Sequence, residues 1–213
     1  MKVRTVVAAS VVGLLFLCSL SAHAADSIQL PSPQMEGGKP LMQALKDRMT
    51  VRSFREEKLS MQTLSNLLWA AFGINRPDGR RTAPSAKNWQ EIGIYVATAD
   101  GLFHWDAGRN TLDPISTKDL REMTGTQAYV KEAAANLIYV ADYAKVGGGG
   151  ADKDVLVGAD TGFISQNVYL FCTSEGLATV VRAGIDRDAL ARELKLRPEQ
   201  KIILAQSVGY PRK

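Results

Sequence analysis

The residues from Arg80 to Gln90 read R-R-T-A-P-S-A-K-N-W-Q, collecting two arginines, a proline, small side chains and two amides in one segment. Such a segment offers backbone N–H groups, hydroxyls and amide edges with little bulk in the way, which suits contact with a flat polar ligand. A second polar stretch, T-V-R-S-F-R from Thr50 to Arg55, adds two guanidinium groups where the apolar periodicity breaks. The pattern predicts a scaffold that presents both loops to one ligand. Beyond residue 24 the chain holds one histidine, His104, and one cysteine, Cys172. So far apart, they indicate neither a zinc site nor a Cys–His pair, and an internal disulfide is excluded.

The N-terminus reads as an address. Lys2 and Arg4 precede the apolar run Val6 to Leu20, and Ala22-His23-Ala24 puts small residues where a signal peptidase cuts. Residues 1–24 are expected to be a signal peptide cleaved after Ala24, giving an exported, periplasmic or secreted protein. The run is short for a membrane span and its small-residue exit argues against a stable membrane anchor. Loss of Lys2 and Arg4 lowers the formal charge from +4 to +2, and no basic stripe follows, which is not the balance of a nucleic-acid binder.

Ala25 to Lys39, with Ser, Pro and Gly, reads as an extended arm or a partner-wrapping tail ahead of one domain at 40–213. Pro40 suits a helix start, and Leu41, Leu45 and Met49 recur at helical spacing. Ser60 is the expected N-cap of a helix whose apolar face is Leu64, Leu67, Leu68 and Ala71, closed by Gly73. Ile92 to Ala97 reads as a buried strand, joined by an Asp100-Gly101 hairpin to Leu102 to Trp105. A second turn at Ala107 to Asn110 leads to a third strand, Thr111 to Ile115. Lys118 to Met123 and Val130 to Ala135 read as short helices, the latter running into the strand Asn136 to Ala141. The four glycines between Val146 and Lys153 read as a tolerated surface loop or a lid. Asp154 to Glu175 is the longest helical pattern, with Val155, Ala159, Gly162, Phe163, Leu170 and Phe171 spreading apolar and small residues around it. A helix apolar on nearly all sides belongs in a core or an interface. After Gly176 come a strand (Thr179 to Ala183), a helix (Arg187 to Leu194) and a last strand (Lys201 to Val208). The layout is α+β, a mixed, mostly antiparallel sheet flanked by helices. Since no G-x-G-x-x-G follows a strand, a Rossmann dinucleotide site is not indicated.

Four stretches then carry a resemblance. V-R-S-F-R, Val51 to Arg55, resembles the R-R-S-x-R phosphate signature of the nitroreductase-like flavoproteins. P-S-A-K-N-W-Q, Pro84 to Gln90, is similar to that family's P-S-S-x-N-x-Q flavin loop. S-E-G-L, Ser174 to Leu177, follows the long helix that the family uses as its dimer core, and V-G-Y-P, Val208 to Pro211, resembles its closing strand. The resemblance spans about Leu41 to Pro211 and lies near the azoline dehydrogenase branch. It implies FMN bound at a homodimer interface, with the long central helix there and each site built from both subunits. Arg52, Ser53 and Arg55 would hold the phosphate, which favours charge-assisted donors. Pro84, Ser85 and Ala86 would line the ring, Asn88 bond its edge, Gln127 lie near the pyrimidine end, and Glu175 and Gly176 offer backbone groups near N5. Val51 stands where the family has its leading Arg and can give only a backbone N–H. Arg52, or Arg212 and Lys213 at the C-terminus, are left to substitute.

The flavin would carry the redox chemistry, with the protein binding, orienting and tuning it. The resemblance therefore implies an exported FMN-dependent oxidoreductase that reduces quinones and nitroaromatics by ping-pong exchange. No side chain is singled out as catalytic, because the exchange takes place at flavin N5. The donor is NAD(P)H or, given the export signal, another reductant. The alternative is a non-enzymatic dimer that binds flavin or another flat ligand; a third reading makes the arm a docking element for a cell-envelope assembly. Trp69 reads as a core residue, Trp89 as a stacking or interface residue, and Cys172 as an inert buried thiol.

Overall fold

The apolar runs assemble into one seven-stranded sheet. The computed structural model describes residues 26–148 and 152–212. The expected signal peptide, Lys213 and two of the four glycines of the run, Gly149 and Gly150, therefore lie outside the described residues. The strands are β1 (Ile28–Gln29), β2 (Ile92–Thr98), β3 (Gly101–Asp106), β4 (Thr111–Ser116), β5 (Ala135–Asp142), β6 (Ala178–Arg182) and β7 (Gln200–Gly209), in the spatial order β1-β4-β3-β2-β5-β7-β6. Every neighbouring pair is antiparallel, so the sheet is not mixed.

Four helices cover it: α1 (Leu41–Asp47), α2 (Met61–Phe72), α3 (Asp152–Ser174) and α4 (Arg187–Glu193). Ser60 caps α2 as expected, its hydroxyl accepting the Thr63 N–H at 3.0 Å. Gly176, at φ +70°, ends α3, and the Leu177 N–H returns to the Cys172 carbonyl at 2.7 Å.

Strand alternation explains where each apolar residue goes. Ile94, Val96, Leu137 and Tyr139 face α2 and α3, meeting Leu67, Leu68, Ile164 and Val168. Tyr95, Ala97, Ile138 and Val140 face the other way, toward Leu190 and Leu194 around α4. The central strands are thus covered on both faces, which is why they read as continuous apolar runs. Cys172 is fully buried, and burial pushes its thiol well up, as suits an inert side chain.

Three local expectations change. The helices expected at 118–123 and 130–135 are 3-10 turns, Arg121–Thr124 and Ala128–Val130, and Ala135 already belongs to β5. The Asn136 side chain donates to the Val130 carbonyl at 2.8 Å and closes the second turn. So short a segment gains too few helical bonds to repay nucleation, and tertiary contacts decide its form. The arm, read as extended or partner-wrapping, lies along its own chain. Ile28 and Gln29 pair with Leu112 and Thr111, Leu30 is buried, and Ser65 donates to the Pro31 carbonyl at 2.5 Å.

Three buried hydrogen bonds centred on Gln206 knit four elements. Tyr139 Oη donates to Gln206 Oε1 at 2.6 Å, and Gln206 Nε2 donates to the Ser165 carbonyl at 3.3 Å and to Thr179 Oγ1 at 3.1 Å. Tyr139→Phe strands that amide oxygen and is expected to cost about 1–3 kcal/mol, read as a lower urea midpoint at unchanged slope. An unchanged midpoint refutes the assignment.

Candidate functional site

Backbone bonds hold the 50–55 turn on two sides. The Val51 N–H donates to the Thr179 carbonyl at 3.0 Å, while Arg55 N–H reaches the Tyr210 carbonyl at 2.9 Å and Arg212 N–H the Ser53 carbonyl at 3.2 Å. Phe54, fully buried, bridges to Pro211. Arg52, Ser53, Arg55 and Arg212 therefore come together, although about 160 residues separate the two segments. Their charges are not equivalent. Arg55 pairs with Glu57 at 3.1 Å and lies over the Tyr210 ring, and Arg212 pairs with Glu132 at 3.1 Å. Arg52 is exposed and has no acid partner among the described residues. Arg48, which the motif did not include, sits 5.4 Å above the Tyr169 ring, likewise without an acid partner among the described residues. Tyr169 Oη is 3.1 Å from Thr50 Oγ1, so Arg48 stands beside the same turn. The only sequence signal for it was a cation shortly before the motif. Val51 offers less than the sequence suggested: its side chain packs in the Phe54–Ala133 cluster and its N–H is used on β6.

The second group is the 84–90 loop. Ala86 N–H donates to Asp160 Oδ2 at 2.8 Å, Gln90 N–H to Ser85 Oγ at 2.8 Å, and Arg81 Nε to Gln90 Oε1 at 2.8 Å. Lys87, Asn88 and Gln90 have φ of 51°, 56° and 47°. Left-handed backbone at non-glycine residues costs about 1–2 kcal/mol each, so these bonds hold a conformation that the chain would not choose locally. Pro84 and Asn88 are exposed, Ser85 and Ala86 half-buried. Trp89 lies under Lys87 Nζ at 5.5 Å and beside Gly147, where the glycine run begins.

Two acids that the sequence reading did not single out lock this loop. Glu91 and Asp160 are both buried, at 1% and 3% exposure. Ser85 Oγ donates to Glu91 Oε2 at 3.1 Å, while Glu91 Oε1 has no hydrogen-bond partner. Burial, and then the adjacent Asp160 charge, push the Glu91 carboxyl above its usual range. A carboxyl in a dry site beside a second acid is costly to ionise, so Glu91 holds its proton more tightly than a free glutamate. An isolated Glu next to a strand and an Asp inside a helix carry no sequence signal of this pairing.

The remaining predicted residues sit elsewhere. Glu175 and Gly176 lie at the exposed end of α3, just before β6, on the side of the arginine turn. There the arm closes on the helix, with Lys39 N–H donating to Ser174 Oγ at 2.8 Å, over a cleft of ≈ 610 Å³ lined in part by Trp69 and Glu175. Trp69 is therefore half-buried at a cleft wall rather than in the core. Gln127 stands apart, beside Gly184 beyond the other end of β6, with its Oε1 buried and unpartnered. Along α3 the turn is anchored at Tyr169 and the loop at Asp160, about 14 Å apart at 1.5 Å per residue. Within one chain the two polar segments thus stand apart along α3.

Between and beside them lies a bare apolar face. Val155 and Phe163 on α3, with Leu41, Met42 and Leu45 on α1 and Met49 after it, are all exposed, Met42 to 76%. Large apolar side chains left exposed in such number point to an interaction site.

Comparison with known proteins agrees with this layout. The family model for the Nitroreductase family matches residues 45–210. A nitroreductase-type protein of Methanocaldococcus jannaschii is 30% identical over 195 residues, covering 86% of this chain and 97% of that protein. The crystal structure of a nitroreductase-type protein from Ralstonia eutropha superposes with a TM-score of 0.83 at 34% identity, covering 99% of this chain and 97% of that one. The NADPH:FMN oxidoreductase of Vibrio harveyi, crystallised with NAD+, shares the fold at a TM-score of 0.61 and 20% identity, covering 81% of this chain and 69% of that one.

The raised Glu91 carboxyl binds its proton more tightly in the folded state, so its contribution to stability is complete at low pH and is lost as pH rises above the ordinary 4.5. Glu91→Gln replaces the proton with a permanent amide donor. Its stability relative to the parent is expected to rise between pH 5 and pH 8 in urea titrations. Parallel pH profiles for the two proteins would refute the raised Glu91 carboxyl.

Proposed function

The chain belongs to the nitroreductase family, and from that premise we propose that it is an exported, FMN-dependent oxidoreductase working as a homodimer. It reduces flat acceptors such as quinones and nitroaromatics by ping-pong exchange, drawing electrons from NAD(P)H or another reductant. The supporting observation is the split between the two half-sites on α3. A second copy seated on the bare apolar face brings the arginine turn of one subunit toward the 84–90 loop of the other.

The donor set suits an FMN phosphate. Arg52 and Arg48 are guanidinium groups without acid partners among the described residues, and the Ser53 hydroxyl stands next to them. Arg55 and Arg212 add charge that Glu57 and Glu132 already half-neutralise. Pro84, Ser85, Ala86 and Asn88 line the ring, with the Asn88 amide at its edge, and the Glu91–Asp160 lock keeps that wall preorganised. Glu175 and Gly176 contribute backbone groups, whereas Gln127, apart from both polar segments and with its Oε1 buried, is left out of the proposed site. Bound FMN supplies the electron and hydride exchange at N5. Donor and acceptor occupy one open site in turn, which the small side chains of the loop leave uncovered. Export rests on residues 1–24 alone, and a mature N-terminus at Ala25 in the periplasmic fraction would support it.

A second reading, a non-enzymatic flavin- or ligand-binding dimer, draws on Val51, which supplies no donor to a phosphate.

Purified protein is expected to sediment as a dimer and to bind FMN with the yellow flavin spectrum. Arg52→Ala should weaken FMN about 10- to 100-fold, the loss of one charge-assisted contact. Phe163→Glu, which places charge on the bare face, should yield monomers that lose FMN at the same time. Flavin binding without turnover by any donor selects the second reading. Failure to bind FMN overturns the oxidoreductase and favours the second reading, and full binding by a monomer overturns both.

A further inference from the structure

A cationic vestibule borders the 84–90 loop. Its outer wall is a small hairpin at 74–81, in which Ile74 bridges Arg81, Asn75 N–H donates to the Arg80 carbonyl at 3.1 Å and Gly79 N–H to the Arg76 carbonyl at 3.1 Å. Gly79, at φ +77°, makes the turn possible. Arg81 rivets the hairpin to the body, donating to the Phe72 carbonyl at 2.9 Å and lying 4.7 Å above the Phe72 ring. The inner wall is the left-handed run through Lys87 and Asn88. Between the walls is a pocket of ≈ 430 Å³ lined by Arg76, Arg80, Lys87, Pro84, Ser85 and Asn88, with Arg81 at its edge.

The charge there is one-sided. Of these four cations only Arg80 meets a carboxylate, that of Asp78 at 3.5 Å, among the described residues. Two loops held rigidly by backbone bonds thus keep like charges together without neutralising them. A pocket of one sign raises the local concentration of the opposite charge. It cannot be the cradle of the flavin phosphate in the reading above, because Arg48 and Arg52 serve that end while this pocket adjoins the ring end, at Pro84 and Asn88.

We infer that this vestibule selects flat acceptors bearing an anionic group, such as carboxylated or sulfonated nitroaromatics and quinones, over their neutral counterparts. The inference rests on the oxidoreductase reading for its place beside the ring. The guanidinium and ammonium groups hold the carboxylate or sulfonate at the rim of the ring site that Pro84 and Asn88 line. Arg76 and Arg80 set specificity, because they stand on the hairpin outside the flavin loop.

The test compares 4-nitrobenzoate with 4-nitrobenzyl alcohol, which differ by one charge. Steady-state kcat/KM is measured at saturating donor, and Kd by quenching of tryptophan fluorescence on the protein as purified. Both arms should favour the benzoate by about tenfold at low ionic strength, with the preference shrinking toward parity near 0.5 M salt. The double variant Arg76→Gln/Arg80→Gln should bring the ratio near one even at low salt. Equal kcat/KM for the two acceptors in an active, FMN-loaded enzyme overturns this inference and leaves the oxidoreductase reading intact. Absence of FMN binding overturns that reading instead, and the fluorescence arm still decides whether the pocket prefers the anion. Should the double variant raise KM for NAD(P)H and leave the acceptor ratio unchanged, the anion belongs to the donor and the inference fails.

Discussion

The helix α3 is apolar on too many sides to be satisfied by the sheet alone, and this constraint organises the molecule. Val157, Ile164, Val168 and Cys172 are buried against α2 and the central strands, while Val155 and Phe163 remain exposed on the far side. The inner face fixes the helix, and the outer face is where the proposed dimer would form. The polar segments attach to the same helix at different heights, the loop through Asp160 and the turn through Tyr169. Burial of one stripe therefore sets how far apart the two polar segments stand.

Electrostatics is distributed with similar economy. Arg55 and Arg212 are held by neighbouring acids and serve as much to position the turn as to bind. Arg48, Arg52, Arg76 and Lys87 lack acid partners among the described residues. Unpaired cations thus stand at both ends of the proposed ligand path, and a buried carboxyl pair underlies its middle. Left-handed Lys87, Asn88 and Gln90 are tolerable because Ser85, Asp160 and Arg81 each hold part of the loop.

Much of this was legible along the chain. Periodicity located the long helix, the capped α2 and the central strands, because burial on one or both faces writes itself directly into residue spacing. The resemblance assigned V-R-S-F-R and P-S-A-K-N-W-Q to one expected ligand, and the structure gathers Arg52, Ser53, Arg55 and Arg212 as one group and Pro84 to Asn88 as another. Less legible were the 3-10 turns near 121–130, where short segments follow their neighbours rather than their own propensity. The arm also defeated local reading, since two residues of strand pairing and one buried leucine are decided by the edge they meet.

What the sequence by itself determined is the set of elements and the residue types at the two polar loops, because both are matters of spacing and composition within a window. What only the tertiary structure decided is which charges are already spent, that Glu91 meets Asp160, and that Arg76 faces the flavin loop across a cavity. These depend on side chains from segments far apart in the chain, and nothing in local spacing encodes a distance closed by the folding of a sheet.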